Sequence, residues 1–499
     1  MKKIYKKVLL SFSFAMLLFS FSACGSSKET SASSENVSIN ATGETITLRI
    51  LENDTAKKEG YFQTLLDAFN EAYKDQNIVA VDADMDSYTD LAQNGPYGYG
   101  PDVLYQANDI LMRYAEDKHI LPLTVESYDC YSQIPEAAWD AYKLNLDGTT
   151  YICGIPVNVQ EPMLFYRKDM LPANWENDWD YDKNGVPDFF ENWNDLYQYS
   201  KLLRDTDESS NHDSQYGFMS SYNDLYLNGE FIFSYGGYVF GKNDDGTYNP
   251  EDIGFANGDA NKGMYAMKQF AYLMNEGCID DSITSSRYEK VANGTYFCAV
   301  STPDTYVLFV KKLALKYEEE GLGSEEAMKK AEENLMMIEL PGKMPADGDL
   351  TKSSHDMSDT DWVNTVVMGG INGYGISSYT KYREACYAFV DFATSYDMIH
   401  TRMDMLGIAP TRSDVAKDSG GITDMIFRSL EEGNIYLMPS CKAIDQVWTP
   451  AHTYLADVAK DAFRAISGEK EKYVDENAMK DALDSVSKEI YAAIYTMAN

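Results

Sequence analysis

Histidine and cysteine are scarce in this chain, and neither is arranged for chemistry. The five histidines (119, 212, 355, 400 and 452) form no H-E-x-x-H pair and join no serine or cysteine nucleophile motif. Beyond Cys24 there are six cysteines, at 130, 153, 278, 298, 386 and 441. No two are close enough for a zinc knuckle or a C-x-x-C redox pair, and spacing assigns no disulfide, so buried free thiols are an equal reading. Basic residues are short too, 42 against 79 acidic ones, for a net charge of -37. Such a surface repels nucleic acid and anionic lipid and suits neutral or cationic ligands. The glycine-rich stretch from Gly369 to Gly375 lacks the spacing of a dinucleotide loop and reads as a tight strand entry. After residue 21 no apolar run is long enough to span a bilayer, and there is no internal repeat.

The start of the chain is informative. Lys2, Lys3, Lys6 and Lys7 precede an uncharged apolar run from Val8 to Phe21, followed by Ser22, Ala23 and Cys24. A basic start, a short apolar stretch and small residues before the cut make a secretory signal over residues 1–23. Removing its four lysines leaves a net charge of -41. Cys24 after these small residues resembles a bacterial lipobox, with Phe21 where leucine is usual; lipidated Cys24 would become the mature N-terminus. Residues 24–43 are serine-rich without hydrophobic periodicity, and read as a disordered tether reaching about 25 Å. The expected location is therefore the extracellular face of the membrane, held through the lipid alone.

The sharpest motif lies at residues 180–191. Asp180, Asp182, Asn184, Asp188 and Glu191 put oxygen side chains at loop positions 1, 3, 5, 9 and 12, with Gly185 at position 6 and the Val186 carbonyl at position 7. This is the full calcium-loop spacing. An acidic turn would match one or two of these positions by chance. A bound structural Ca²⁺ is the expectation, stapling an insertion at 174–191.

The body alternates strand and helix. Ile46, Leu48 and Ile50 read as a strand, and Phe62, Leu65, Leu66, Phe69 and Tyr73 as a helix. Residues 78–81 and 101–105 read as further strands. This order predicts a mostly parallel sheet with helices on its faces, and a ligand beyond the carboxyl ends of the strands. Asn53 and Asp54, and the run Gln106 to Asn108 and Asp109, fall there. Residues 345–361 are polar and read as a mobile loop; helices are expected near 264–274, 324–335, 455–466 and 479–494.

Eight segments, in this order, carry a resemblance. They are Pro101-Asp102-Val103 through Asn108-Asp109; Gly154-Ile155-Pro156-Val157 leading to Tyr166-Arg167-Lys168-Asp169-Met170-Leu171-Pro172; Asn192-Trp193-Asn194-Asp195-Leu196; Tyr235-Gly236-Gly237-Tyr238; Leu340-Pro341-Gly342; Gly373-Tyr374-Gly375-Ile376-Ser377; Ala409-Pro410-Thr411-Arg412; and Met438-Pro439 with Trp448. Together they resemble the extracellular solute-binding proteins of ABC sugar importers, above all the maltose-binding branch. The resemblance implies an α/β periplasmic-binding-protein-like fold of two lobes, a ligand cleft and a hinge crossed three times. It implies lobe 1 over 44–158 and 338–405, and lobe 2 over 159–337 and 406–499. It also implies a monomer that captures oligosaccharide, malto-oligosaccharide first, and passes it to permease subunits. Asp109 matches a sugar-binding aspartate, Asp224 and Tyr226 an acid and a ring from the other lobe, Trp448 a stacking platform and Asp54 a first-loop acid. The departures are Gln106 for a tryptophan, Ile110 for an arginine, Gln160 for a glutamate, and Asp304 for a tryptophan with Tyr306 nearby. Carboxylates accept from pairs of hydroxyls, and rings cover a sugar's apolar face. A secreted glycoside hydrolase and a surface adhesin are the alternative classes; no catalytic motif supports the first.

The anchor is directly testable. In the native host, Cys24→Ala should abolish incorporation of a labelled fatty acid; undiminished labelling would remove Cys24 from this role.

Overall fold

The computed structural model describes residues 39–498 apart from 41–42, 87–89, 147, 210–211, 213, 245, 275–281 and 465. The signal, Cys24, Cys278 and most of the expected tether lie outside the described residues. No helix among the described residues is long and apolar enough to cross a membrane.

Eleven strands carry the two main sheets: β1 (Ile46–Leu51), β2 (Ile78–Asp82), β3 (Val103–Ala107), β4 (Ile155–Gln160), β5 (Met163–Arg167), β6 (Tyr216–Met219), β7 (Tyr296–Ser301), β8 (Leu335–Glu339), β9 (Val367–Ile376), β10 (Ala409–Pro410) and β11 (Ile435–Leu437). The first sheet runs in the order β10-β4-β9-β3-β1-β2, with β11 alongside β9. The second runs β8-β5-β7-β6. Each sheet is the core of one lobe. Strands β4, β5 and β7 are near-continuous apolar runs with almost every side chain buried, as strands covered on both faces must be.

The first sheet is mixed rather than mostly parallel. β1 pairs in parallel with β2 and β3, but β9 enters antiparallel between β3 and β4. The glycine-rich stretch is the body of this central strand rather than its entry. Its glycines let neighbours close in: a Cβ at Gly373 would stand 2.3 Å from the Ile155 carbonyl and 2.8 Å from the Tyr142 hydroxyl.

The chain passes between the sheets three times. Only Glu161 and Pro162 separate β4 from β5. The second passage follows β8, and the third follows β11 and leads into the helix Trp448–Arg464, which packs on the second-lobe helix Ala260–Tyr272. Two boundaries differ from the sequence reading. Residues 343–364 stay with the second lobe, because the helix Trp193–Thr206 holds them. Asn194 donates to the carbonyls of Asp349 and Lys352, and Gln198 to those of Leu350 and Thr351. The stretch 345–361 is therefore an ordered series of turns, not a loose loop. Conversely, β10 and β11 pair with β4 and β9, so residues 409–437 remain with the first sheet. Cys130, Cys153, Cys298, Cys386 and Cys441 are free and buried, the thiol alternative.

A buried ion pair ties the first lobe together. Glu52 follows β1, and Arg402 sits on the helix Tyr396–Leu406. The guanidinium meets both carboxylate oxygens at 3.0 Å, and the Tyr374 hydroxyl donates to Glu52 at 2.8 Å. Removing one partner of such a pair leaves an uncompensated charge in a dry site, which costs about 3–5 kcal/mol. Arg402→Met should therefore lower unfolding stability by about that amount. The double variant Glu52→Gln/Arg402→Met should recover most of it, as read by denaturant titration. Equal losses in single and double variants would show that the pair is not the source.

Candidate functional site

The first lobe's contribution begins where β3 ends. The helix Asn108–Glu116 starts at once, and Asp109 occupies its first turn, where backbone N–H groups favour a carboxylate. Burial nevertheless dominates and pushes the Asp109 carboxyl up to about 6, against the pull of the Ile110 amide and of Arg113. Its Oδ1 is enclosed without a hydrogen-bond partner among the described residues. An acceptor in that position is poised for a donor that the chain does not itself supply. Arg113 pairs with Asp445 at 2.8 Å beside it.

The second lobe brings Asp224 and Tyr226. Asp224 caps a short helix, Leu225–Asn228, its Oδ1 accepting the Tyr226 N–H at 2.8 Å. The Tyr226 hydroxyl crosses to the first lobe and donates to the Gln160 carbonyl at 3.1 Å. Burial raises the Tyr226 pKa, and the charges of Glu161, Asp304, Asp224 and Asp109 raise it further. Four carboxylates from both lobes thus act electrostatically on one ring. Asp304, in the turn after β7, acts on Tyr105 of β3 as well. The third side is the helix Trp448–Arg464. Trp448 is half-buried at its first residue, with His452 one turn on, their rings 6.0 Å apart. His452 Nε2 lies 3.9 Å from Asp224 Oδ1. The structure therefore brings together Asp109, Asp224, Tyr226, Asp304 and Trp448. His452 and Glu161 join them without having been singled out; the one-turn spacing Trp448 to His452 was the available signal.

Other expected residues stand apart. Asn108 is fully buried and serves structure instead: its amide donates to the Met438 carbonyl and Ser440 hydroxyl, and its oxygen accepts the Ile371 N–H. Asp54 is exposed on a short helix, 3.7 Å from Lys58. Tyr306 responds electrostatically to Glu332, on the helix Ser324–Asn334. Gln160 lends its backbone carbonyl to Tyr226, and Gln106 is half-buried at the end of β3.

A family profile described as "Bacterial extracellular solute-binding protein" matches residues 64–426. The chain belongs to that family. Among curated relatives, a galactooligosaccharide-binding protein of Bacillus subtilis (strain 168) is 25% identical over 374 residues, 74% of this chain and 75% of the relative. A maltodextrin-binding protein, MdxE, of the same organism is 27% identical over 281 residues, 55% of this chain and 58% of the relative. Among solved structures, a cyclo/maltodextrin-binding protein complexed with maltotetraose superimposes with a TM-score of 0.63 at 18% identity, covering 91% of this chain and 98% of its own. The maltose-binding periplasmic protein MalE from Listeria monocytogenes, in complex with maltose, gives 0.63 at 19% identity, covering 91% and 99%. These solved structures establish the two-lobed fold of this solute-binding protein.

The loop at 180–191 forms a second cluster. Gly185 (φ +85°) and Lys183 (φ +60°) take left-handed backbone, which turns the chain sharply. One carboxylate oxygen each from Asp182, Asp188 and Glu191 lie within 4.8 Å of one another. Asp180 Oδ1 is buried without a partner, while its Oδ2 accepts the Gly185 N–H at 3.2 Å. Asn184 donates to Glu191 at 2.7 Å, and its oxygen accepts the Val186 N–H at 2.7 Å. Burial, then the neighbouring acids Asp182 and Asp188, push the Glu191 carboxyl up against the hydrogen bond from Asn184. Three carboxylate oxygens this close, with the enclosed and unsatisfied Asp180 Oδ1 in the same loop, fit a hard cation.

Proposed function

We propose that this protein is the capture component of an ABC sugar importer, anchored outside the membrane through Cys24, and that it binds oligosaccharide rather than transforming it. The observation that carries the reading is the convergence of both lobes on Tyr226, with Trp448 exposed enough to serve as a platform. A ligand touching both lobes stabilises the closed arrangement, and only such a difference in contacts drives closure. Asp109, Asp224 and Asp304 accept sugar hydroxyls, Trp448 stacks on a ring, and permease subunits receive the loaded monomer. Malto-oligosaccharide is the first-choice ligand, supported by the maltodextrin-binding relative and by the matched positions. Galacto-oligosaccharide is a second reading, favoured by the relative with the longer match.

Calorimetry against both sugar series tests this. One series should bind, and Trp448→Ala should weaken it by about thirtyfold or more, the scale of losing ~2 kcal/mol at a central aromatic contact. Asp109 is ionised above about pH 6 and protonated below it. The ionised form accepts the stronger, charge-assisted bonds from hydroxyls, so affinity should rise with pH through that value in the wild type and stay flat in Asp109→Asn. Wild-type affinity in Trp448→Ala would put the cleft elsewhere; shortened sugar products would replace binding by hydrolysis.

The second part of the reading is a structural Ca²⁺ held by Asp180, Asp182, Asn184, Asp188 and Glu191 with the Val186 carbonyl. An ion bound only by the folded state stabilises it by about 2.7 kcal/mol at a hundredfold excess over Kd. Chelation should lower the melting temperature, and Glu191→Gln should remove most of that response. A wild-type protein indifferent to chelator and free of calcium by elemental analysis would refute it.

A further inference from the structure

The first two passages between the lobes run side by side. Met163 of β5 faces Glu339 of β8 at the end of their ladder, so residues 161–162 and 340–341 leave the second sheet together. Between them and the first lobe lies a cavity of about 180 Å³, lined among others by Glu161, Glu339, Gly342, Asn364, Ser429 and Asn434. No lining residue is basic.

Glu161 is the anomaly here. It is 2% exposed, and its Oε1 is enclosed with no hydrogen-bond partner among the described residues. Burial, then the charge of Glu339, push its carboxyl well above the usual range. Glu339 is held in place by the Ser429 hydroxyl, which donates to its Oε1 at 2.7 Å. A buried carboxylate beside a second one, without a cationic side chain, is costly unless something compensates it. The lining offers two carboxylates, two side-chain amides and two hydroxyls, the donor types of a hard cation. The space exceeds the roughly 30 Å³ of one water several-fold, enough for an ion with part of its hydration shell. A chain of net charge -37 concentrates cations at its surface.

We propose that this hinge cavity binds a hard cation between the carboxylates of Glu161 and Glu339, and that the ion clamps the first two passages together. The site is separate from the loop at 180–191 and shares Glu161 with the carboxylates that act on Tyr226. It reaches the cleft, because Tyr226 feels the charge of Glu161 directly and bonds the carbonyl of the residue before it. Cation occupancy at the hinge and ligand occupancy in the cleft then act on the same two-residue connection.

The test uses the Glu191→Gln protein, in which the loop is disabled, stripped with chelator and titrated separately with Ca²⁺ and with Na⁺. One of the two should still raise the melting temperature, which identifies the ion, and elemental analysis should find it bound. Adding Glu161→Gln should abolish that rise. Adding Glu339→Gln instead should weaken the ion about tenfold or more. Should Glu161→Gln fail to fold, the Glu339→Gln arm alone decides. A Glu191→Gln protein indifferent to both ions overturns the proposal. So does one stabilised only by lowering the pH, which would make the compensation a proton on Glu161. Sugar calorimetry on the wild type reads the cleft independently, so failure of one reading leaves the other standing.

Discussion

The ion pair between Glu52 and Arg402 organises the first lobe. Both partners are almost wholly removed from water, so their attraction is weakly screened and their geometry is demanding. The guanidinium does more than neutralise Glu52. Its carbon lies 4.0 Å from the centre of the Tyr105 ring and 4.8 Å from that of Tyr61. The Tyr105 hydroxyl donates to Asn158 of β4, and Tyr374 of β9 closes the group on Glu52. One cation therefore orders β1, β3, β4 and β9 near the ends from which Asp109 and Gln160 project. A two-oxygen fork matched to a planar guanidinium has direction as well as strength, which a hydrophobic contact lacks. The pair thereby ties together the strands that lead to the first-lobe residues of the candidate site.

Against those strands the cleft gathers like charges. Asp109, Asp224, Asp304 and Glu161 all act on Tyr226, and burial disfavours the ionised forms of Asp109 and Glu161 further. Hydroxyl donors arriving from a ligand relieve part of this, because a carboxylate that accepts hydrogen bonds tolerates burial better.

Much of this was legible in the sequence, for identifiable reasons. The strands at 46–51 and 78–82, and the helix at 61–73, follow from periodicity, since each buries one face against its neighbours. The loop at 180–191 was legible because its chemistry is local, with every donor inside twelve residues. What was missed depends on distant contacts. The antiparallel entry of β9 arrives some two hundred residues after β4, its neighbour in the sheet, and nothing near Gly373 announces it. Residues 345–361 look like loose polar chain, yet their backbone carbonyls are claimed by Asn194 and Gln198 from a helix far earlier in the sequence. Asn108 looked like a ligand residue beside Asp109; its donors are spent on Met438 and Ser440, which only the fold brings near.

The same long-range logic joins the loop to the hinge. Glu191 closes the loop, and the next two residues begin the helix that grips the second passage. Asn192 bridges to Lys343, and the Trp193 indole donates to Thr365 at 3.1 Å. Thr365 in turn holds both the Pro341 and Gly342 carbonyls, through its hydroxyl and its N–H. Gly342 and Asn364 line the hinge cavity on one side and the acidic pocket beside Asp182, Asp188 and Glu191 on the other. A single segment is therefore a wall shared by both. Whatever fixes the position of Glu191 fixes Asn192 and Trp193, and through them the residues that the chain uses to return to the first lobe. The segment at 174–191 is thus more than a decoration on the second lobe: it abuts the anchorage of the hinge.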